Sequence, residues 1–455
     1  MTATTSMLPS AIDGIVCLSP DVWGEVKRPQ QLMTRLAARR PVIYVEPAAS
    51  FASLARHPVR ELSSGRARWL RAIGGHAEQL APGVHVVTPL AAVPAHHRGA
   101  LAVGGLQAAE ERFARNSLEQ RVRDAIAKLG LRAPALWVSE PTALDGLDAF
   151  AHTLVYDCVD RWTDFPGPVT DGSWRERVVR DEERLLSAAD VVFCSADGLY
   201  ASKADVAQGK VSLLRNAADV AHFAPAERSK PRDIASLPGP VVGYIGAIAE
   251  WVDLALVRDA ARLRPGWSFV LVGPAFSGAI SGDSSELALL DGVGNVHLMG
   301  PRPYEDVPAY LEAFDAAIIP FKLNGLTEDT NPIKLYEYLA AGKPVISTPL
   351  PEAMSVDGVL IADTAEALVA QVQAALSETD PDAVERRCAT AARNSWEVRA
   401  QDAWAVLSGE AVVRPSELGS ALVDEFAQTA GTHDGYTDVQ VLPAPRQLRT
   451  GRWAS

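Results

Sequence analysis

The chain has 455 residues, and single domains typically have roughly 100–150, so at least two domains are predicted. Apolar residues make up 48% of the chain, which is enough for a substantial core and excludes global disorder. The 43 basic and 56 acidic side chains leave a net charge of −13. Because an acidic chain repels a phosphate backbone, we expect no nucleic-acid partner bound through a broad basic face.

Several features of the sequence predict a cytoplasmic protein. No run of about 18 or more uncharged apolar residues occurs, so no membrane-spanning helix is predicted. Residues 1–14 lack the basic and apolar regions of a signal peptide. The four cysteines form no Cys-x-x-Cys pair and no zinc-binding spacing, and three of them lie in apolar runs typical of buried free thiols. Free thiols favour a reducing compartment.

Short β-branched runs recur along the first half of the chain, with helical patterns between most of them. The helical patterns include residues 30–40 and a long charged stretch at 107–129. Strands that are apolar on both faces and alternate with helices predict a parallel sheet covered on both sides. The predicted strand runs are residues 13–20, 41–47, 83–90, 134–140, 153–160, 191–196 and 211–217.

A second series of strand runs follows residues 224–240, which are rich in Pro, Ser and charge and are typical of a linker. Two doubly wound, Rossmann-like α/β domains with parallel sheets are therefore predicted, and the cleft between them is the expected ligand site. The runs of the second series are residues 241–248, 267–274, 295–301, 316–322, 344–350 and 358–363. The predicted divisions are a first domain (1–225), a second domain (226–390), a helix (391–410) and a poorly ordered tail (411–455).

The most informative segment is residues 316–351, where a buried strand is followed by a polar loop and a short helix. Asn331 has the side chain of an N-cap, Pro332 suits the first helical position, and Gly342 suits the position just past the end. We therefore predict a helix over 332–341. Its N-terminus opens at the carboxyl edge of the sheet, where open α/β sheets bind ligands.

Lys334 lies in the first turn of this helix, where a cation opposes the helix dipole unless an anion binds beside it. A diphosphate held by the free amides and Lys334 removes that conflict. Glu337, one turn further on, suits two ribose hydroxyls, and Asp329 before the helix suits sugar hydroxyls. The alternative for the lysine and glutamate alone is an ordinary surface ion pair. The cap, the proline, the lysine and the two carboxylates together favour the diphosphate site.

This segment resembles the donor-site signature of retaining, family 4-like glycosyltransferases of the GT-B fold. The signature stands here as Asp329-x7-Glu337 followed by AAGKPVIS, with Asp where family members usually have Glu. The resemblance implies hexosyl transfer from a nucleotide-sugar to a glycan or lipid-linked acceptor, with retained configuration, no metal and no cofactor. It also implies a role in cell-surface polysaccharide synthesis.

Other segments are similar to the same family over residues 13–410. VSLLRNAADVAHF resembles the strand exit before the interdomain linker, and NSWEVRA resembles a C-terminal helix that crosses back to the first domain. The string VYDCVDRWTDFPG resembles a bacterial subgroup related to teichuronic-acid and surface-polysaccharide glycosyltransferases. Many relatives carry an Arg and a Lys after the glycine of the donor-domain loop, and here GAIAEWVDLAL has no base.

The resemblance implies specific roles on the second domain. Lys334, Asp329 and Glu337 are expected to act on the donor during transfer, with Gly246 letting the backbone approach a phosphate. In the absence of the basic pair, Lys322 is a further candidate for the diphosphate charge. The full donor-binding set is Gly246, Lys322, Thr330, Asn331, Lys334 and Glu337. No metal ligands are predicted.

Five residues of the first domain are candidates for the acceptor or the cleft: Trp23, Arg28, Asp157, Asp160 and Arg161. Asp157 and Asp160 follow a strand, with Arg161 adjacent, and suit an acceptor hydroxyl or the donor sugar. Capping of the next turn is an equally good interpretation. Trp23 suits a sugar face and Arg28 an acceptor phosphate, while Arg28-Pro29 equally suits the start of a helix.

Residues 56–75 are basic and contain Trp69, which suits peripheral contact with an anionic inner membrane, although a solvated mobile loop is favoured over it. Two other functions stay open. A sugar-nucleotide epimerase shares this kind of fold and site, and a non-catalytic nucleotide-sugar-binding subunit fits the missing basic pair. Incubation with the donor alone separates the epimerase from a transferase, because only an epimerase produces a new sugar-nucleotide isomer.

Overall fold

A computed structural model of the chain describes residues 12–63, 65–93, 106–143, 150, 152–164, 172–207, 209–275 and 284–410. The predicted tail at 411–455 lies outside the described residues. All of the predicted strand runs contain a strand, and the strands divide into two large sheets, one on each side of the linker. The described part of the chain contains no helix that is both long and apolar enough to cross a bilayer.

The first domain is built on an eight-stranded sheet with a separate two-stranded sheet beside it. The strands are β1 (Gly14–Leu18), β2 (Val42–Val45), β3 (Ala49–Ser50), β4 (Glu78–Ala81), β5 (Val84–Val87), β6 (Leu90–Ala91), β7 (Pro134–Val138), β8 (Thr153–Cys158), β9 (Val191–Cys194) and β10 (Val211–Leu213). The large sheet has the order β10-β9-β8-β7-β1-β2-β5-β4 and is parallel except for β4. Its central strands are buried along their whole length, as continuous apolar runs predict.

Helices cover both faces of this sheet. They are α1 (Arg28–Leu36), α2 (Phe51–Arg56), α3 (Pro58–Ser63), α4 (Arg66–Gly74), α5 (Leu106–Leu129), α6 (Gly172–Ala188), α7 (Asp197–Ala204) and α8 (Val220–Phe223). Trp137 of β7 stacks on Phe193 of β9 with the ring centroids 5.2 Å apart, which links two strands on one face of the sheet.

The second domain has a six-stranded sheet in the order β13-β12-β11-β14-β15-β16, and all of its pairs are parallel. The strands are β11 (Val241–Ile245), β12 (Ser268–Val272), β13 (Val296–Gly300), β14 (Ala316–Ile319), β15 (Val345–Ser347) and β16 (Val359–Ile361). The direction of winding reverses between β11 and β14, so a crevice opens beyond their carboxyl ends.

The helices of the second half are α9 (Leu254–Leu263), α10 (Val307–Glu312), α11 (Gly325–Glu328), α12 (Ile333–Ala340), α13 (Pro351–Met354), α14 (Ala365–Leu376), α15 (Ala383–Arg393) and α16 (Trp396–Leu407). The last of these returns to the first domain. Ser395 caps α16, and Trp396 is 2% exposed within the core that lies on the α1 side of the first sheet. The chain therefore links the two domains twice, once at the linker and once before α16.

Two local predictions differ from the structure. Most of the described residues of 56–75 are helical rather than a solvated loop, in α3 and α4, and the buried Trp69 anchors α4. The polar loop before α12 contains α11, which Asn324 and Thr327 cap reciprocally. The linker at 224–240 is irregular as predicted, but Ile234 is 3% exposed and packs into the second core.

Candidate functional site

The carboxyl edges of the two sheets face each other, and a charged pair joins them. Arg161, three residues beyond β8, donates two hydrogen bonds to Asp329, one of them from Nε at 2.8 Å. A methyl group added at Gly198, in the first turn of α7, would overlap the Asp329 carboxylate. Two residues predicted for opposite sides of the cleft, Arg161 and Asp329, are thus in direct contact, and Asp329 is only 6% exposed.

The helix predicted at 332–341 is α12. It begins at Ile333, one residue later than predicted, with Pro332 as a cap that has no side-chain hydrogen bond. Amides in the first turn of a helix have no intrahelical acceptor, so those of Ile333 and Lys334 are available to an anion. The Tyr338 hydroxyl accepts a hydrogen bond from the amide of Ile245 at 2.7 Å, which fixes α12 against the end of β11.

Lys334 and Glu337 form an ion pair along one face of α12, with Lys334 Nζ 2.8 Å from Glu337 Oε2. Glu337 is 6% exposed and the Lys334 side chain is 29% exposed, so the pair is partly buried. Burial raises the pKa of Tyr304, and the nearby Glu337 charge raises it further. The Tyr304 hydroxyl also accepts a hydrogen bond from Gln31 of the first domain at 3.3 Å. Glu337 therefore lies close to the boundary between the domains.

Asn331 does not cap α12, because Pro332 holds the N-cap position, so the capping prediction for it is wrong. Its side chain is 1% exposed, with Nδ2 donating to the Tyr336 hydroxyl at 3.0 Å and to Glu352 Oε2 at 2.6 Å. Its Oδ1 accepts from the amide of Asn216 at 2.9 Å, and its carbonyl accepts from Asn216 Nδ2 at 2.6 Å. Asn331 is therefore a buried connector between the two domains.

The other residues of the predicted donor set, Gly246, Lys322 and Thr330, already have hydrogen-bond partners within the second domain. The amide of Gly246 donates to the carbonyl of Val272 at 2.9 Å, and an added Cβ at Gly246 would lie 2.5 Å from the Tyr244 hydroxyl oxygen. Internal packing alone is therefore enough to require a glycine at this position.

Two further side chains of the predicted donor set have partners inside the second domain. Lys322 Nζ is bound by the Glu286 carboxylate at 2.9 and 3.0 Å. The Thr330 hydroxyl donates to the carbonyl of Leu326 at 2.7 Å.

Arg28 and Asp157 form a buried ion pair and do not line the cleft. Their side chains are 3% and 0% exposed, and Asp157 accepts from Arg28 Nε at 3.0 Å and from Nη2 at 2.7 Å. Arg28 also donates to Asn216 Oδ1 and to the carbonyl of Leu214, while Trp137 Nε1 donates to Asp157. The pair ties α1 to three strands, which makes its role structural.

Asp160 and Trp23 remain beside the cleft edge of the first sheet. Asp160 is half-buried two residues beyond β8, and burial together with the Asp157 charge raises its pKa to about 6 despite Arg28. The amide of Trp23 donates to Glu46 at 3.0 Å, and its ring packs edge-on against Tyr44 at 5.1 Å.

One interdomain cluster was not predicted from the sequence. Glu352, 2% exposed at the start of α13, accepts from the amide of Asp197 at 2.7 Å and from Arg215 Nε at 2.9 Å. Burial and the Glu352 charge raise the pKa of Asp197. The only indication of this cluster in the sequence was that Glu352 is an acidic residue in the first turn of a helix after a buried strand. That pattern fits simple capping of the helix equally well.

The described residues contain no group of three or more His, Cys, Asp or Glu side chains placed to hold a metal ion. The arrangement that remains is a short helix whose first amides, Lys334 and Glu337 lie at the domain boundary, with Asp329 held against the opposite domain. Such a site suits a ligand that carries both an anionic group and hydroxyls.

Comparison with known proteins links this site to one family. Residues 239–378, which contain β11 to α14, match the model of the family "Glycosyl transferases group 1". A Bacillus subtilis protein named "Putative teichuronic acid biosynthesis glycosyltransferase TuaH" is 34% identical over 208 residues, or 44% of this chain. That alignment covers 51% of the relative, so the chain spans about half the length of the curated relative it matches.

Solved structures share the architecture at low sequence identity. Sucrose-phosphate synthase from Thermosynechococcus elongatus has a TM-score of 0.59 at 14% identity, covering 92% of this chain and 100% of that one. Anabaena HepE in complex with UDP scores 0.56 at 16% identity, covering 87% and 99%. A trehalose-6-phosphate protein from E. coli bound with UDP-2-fluoro glucose scores 0.60 at 10% identity, covering 88% and 100%. The fold is GT-B, with two Rossmann-like domains, as the sequence predicts.

Proposed function

We propose that the protein is a glycosyltransferase that moves a hexosyl group from a nucleotide-sugar to a glycan or lipid-linked acceptor. The observation that carries this proposal is the N-terminus of α12 at the domain boundary, with Lys334 and Glu337 on one face and Asp329 just before it. All three residues lie within the segment that matches the group 1 glycosyl transferases. The name of the relative TuaH supports an acceptor in cell-surface polysaccharide synthesis.

UDP is the nucleotide to test first, because HepE is complexed with UDP and the E. coli protein with UDP-2-fluoro glucose, and both share this fold. We propose that the first amides of α12 and Lys334 bind the diphosphate, while Glu337 accepts hydrogen bonds from the ribose. Lys334 then exchanges its contact with Glu337 for the phosphate oxygens. Asp329 accepts from hydroxyls of the donor sugar once it leaves Arg161.

In the proposed reaction the bond between C1 of the sugar and the diphosphate oxygen breaks, and a bond from an acceptor oxygen to C1 forms. The acceptor proton passes to an oxygen of the departing diphosphate. Lys334 and the α12 amides stabilise the charge that develops on that diphosphate, so we propose a reaction that uses no metal and no cofactor. The match of Asp329-x7-Glu337 to retaining enzymes supports retention of configuration. The free thiols of the described cysteines support a cytoplasmic location.

Nucleotide binding tests the site directly. Lys334→Ala should weaken UDP binding by about 10- to 100-fold, because a charge-assisted hydrogen bond to phosphate is lost. Glu337→Gln should weaken binding of UDP and of uridine by a similar factor, about tenfold, because the ribose contact is lost in both. Calorimetric titration gives both constants, and Lys230→Ala, at an exposed linker lysine, is the matched control. Unchanged affinities in both variants would overturn the assignment.

Turnover separates the three functions. The protein should transfer hexose from a UDP-sugar to a polysaccharide or lipid-linked acceptor fraction, and nuclear magnetic resonance of the product should show the donor's anomeric configuration. Incubation with the donor alone should leave it unchanged. A new sugar-nucleotide isomer would make the protein an epimerase. Tight UDP binding without transfer to any acceptor would make it a binding subunit.

A further inference from the structure

Exposed apolar side chains are concentrated on one part of the first domain. Thirteen large apolar side chains are exposed among the described residues, and six of them lie between residues 51 and 113. The other seven are spread over residues 179–384. The six are Phe51, Val59, Leu70, Ile73, Leu106 and Phe113, on α2, α3, α4 and the start of α5. We call the outer surface of these four neighbouring helices the α2–α5 face.

Helix α4 shows how this face is held. Trp69, 3% exposed, anchors the inner side of the helix, and its Nε1 donates to Glu61 at 3.0 Å. Arg66, Leu70 and Ile73 follow one another at helical spacing on the outer side. Leu70 is 61% exposed and Ile73 is 69% exposed. The inner side of α4 provides its packing against the domain, so the outer apolar side chains do not contribute to the core.

The charges that point outward from this face are basic. Glu61 and Glu110 are buried, and Glu110 accepts from the amides of Ala92 and Val93 at 3.0–3.2 Å. Glu111 is half-buried and bonded to a neighbouring glutamine. The exposed charged or ionisable side chains on α4, at the end of α2 and in the first turns of α5 include Arg56, His57, Arg66 and Arg112. A chain of net charge −13 therefore presents basic side chains on the helices that carry six of its exposed apolar side chains.

The elements of this face pack on one another. The amide of Ala52 in α2 donates to the carbonyl of Ala92 at 2.9 Å, and Ala92 is held in turn by Glu110 of α5. Arg121 of α5 donates to the carbonyl of Ala72 in α4. Helix α2 starts directly after β3, beyond the carboxyl end of β2, so the face flanks the edge of the first sheet that faces the cleft.

We propose that the α2–α5 face binds the surface of a bilayer that contains anionic phospholipids. Arginines beside exposed leucine, isoleucine and phenylalanine match that partner, because the apolar groups enter the interface while the cations contact lipid phosphates. The proposal goes beyond the proposed function, which names an acceptor class but no surface. Its test needs neither donor nor acceptor, so either proposal can fail without the other.

Flotation of the full chain with lipid vesicles tests the proposal. Vesicles of phosphatidylcholine mixed with phosphatidylglycerol should carry the protein upward, vesicles of phosphatidylcholine alone should not, and added salt should weaken binding. The double variant Leu70→Glu, Ile73→Glu should lower partitioning by about tenfold or more. Leu263→Glu, at a leucine of α9 that is 41% exposed, is the matched control and should bind like the parent.

Charge reversal provides a second, independent variant. Arg66→Glu should lower binding to the anionic vesicles and reduce its dependence on salt, whereas Arg262→Glu on α9 should do neither. Circular dichroism confirms that each variant is folded. The proposal is overturned if the parent does not bind the anionic vesicles, or if the α9 variants lose as much binding. It is also overturned if the Leu70 and Ile73 changes dissociate a dimer in sedimentation while the parent ignores vesicles.

Discussion

Arg161 of the first domain and Asp329 of the second domain are hydrogen-bonded across the cleft, with Arg161 Nε 2.8 Å from the carboxylate. Asp329 is also packed against the first turn of α7 at Gly198. The carboxylate proposed to bind the donor sugar is thus held by the opposite domain. The proposed contact of Asp329 with the sugar therefore requires that the contact with Arg161 opens.

Removal of the arginine tests this link. Arg161→Ala should increase hydrogen–deuterium exchange of the segment around α11 and Asp329, because the interdomain hydrogen bonds that hold Asp329 are lost. We expect the increase in the ligand-free protein. Arg184→Ala is the matched control, because that arginine is 69% exposed and its ion-pair partner, Asp181, lies on its own helix. Equal exchange in the parent and Arg161→Ala would show that the contact does not hold the segment.

A second interdomain contact, at Asn331, is buried. Asn331→Ala removes one of the donors to Glu352 and leaves the buried amide of Asn216 without its partner, so the free energy of unfolding should fall by about 2–4 kcal/mol. Urea denaturation followed by tryptophan fluorescence measures that change. Tyr336→Phe, which removes one of the hydrogen bonds and leaves the others, should cost only about 1 kcal/mol. If the two variants are equally stable, the network is not connected as the distances indicate.

The fold was predictable because each buried strand can be recognised from its own short apolar run. The alternation of these runs with helical patterns indicates a doubly wound sheet. β4 was missed because residues 78–81, Glu-Gln-Leu-Ala, are at most half-buried and carry no apolar run. α4 was not predicted because apolar residues lie on its outer side as well as on its inner side, where Trp69 is buried. The sequence of this helix therefore lacks a clear amphipathic period.

The geometry of the candidate site was predictable where its residues are neighbours in the chain. Lys334, Glu337 and Asp329 lie within nine residues, and the structure brings Lys334 and Glu337 together and leaves Asp329 just before their helix. The sequence could not predict which residues that are far apart in the chain would contact each other. Arg28 lies 129 residues from Asp157, and either residue suited an acceptor equally well until the fold buried them together. Asn331 had the side chain of an N-cap, but its side-chain amide instead bonds the Asn216 amide of the first domain and Tyr336 and Glu352 of the second.

The buried pair between Arg28 and Asp157 gives a stability prediction. Asp157→Ala leaves the Arg28 guanidinium buried without its counter-ion, which should lower the free energy of unfolding by about 3–5 kcal/mol. Thermal and urea denaturation measure the loss. Asp181→Ala, in an ion pair with arginines that are 64% and 69% exposed, is the control and should change stability by less than about 1 kcal/mol. A mild effect of Asp157→Ala on stability would argue against a structural pair.

Asp160 gives a prediction for the pH dependence of stability. Burial and the Asp157 charge raise the pKa of Asp160 from 3.8 to about 6 in the folded chain. The folded state therefore binds this proton more tightly than the unfolded state, and the stability that it confers is complete below pH 3.8 and is lost as the pH rises through about 6. Asp160→Asn cannot lose a proton, so relative to the parent it should gain on the order of 2 kcal/mol of unfolding free energy across that window. Urea denaturation of both proteins at several pH values between those limits and at neutral pH measures the gain. The gain should level off above pH 7, because Asp160 of the parent is then ionised in both the folded and the unfolded state. Parallel pH profiles would mean that the Asp160 carboxyl is as well solvated in the folded chain as in the unfolded one.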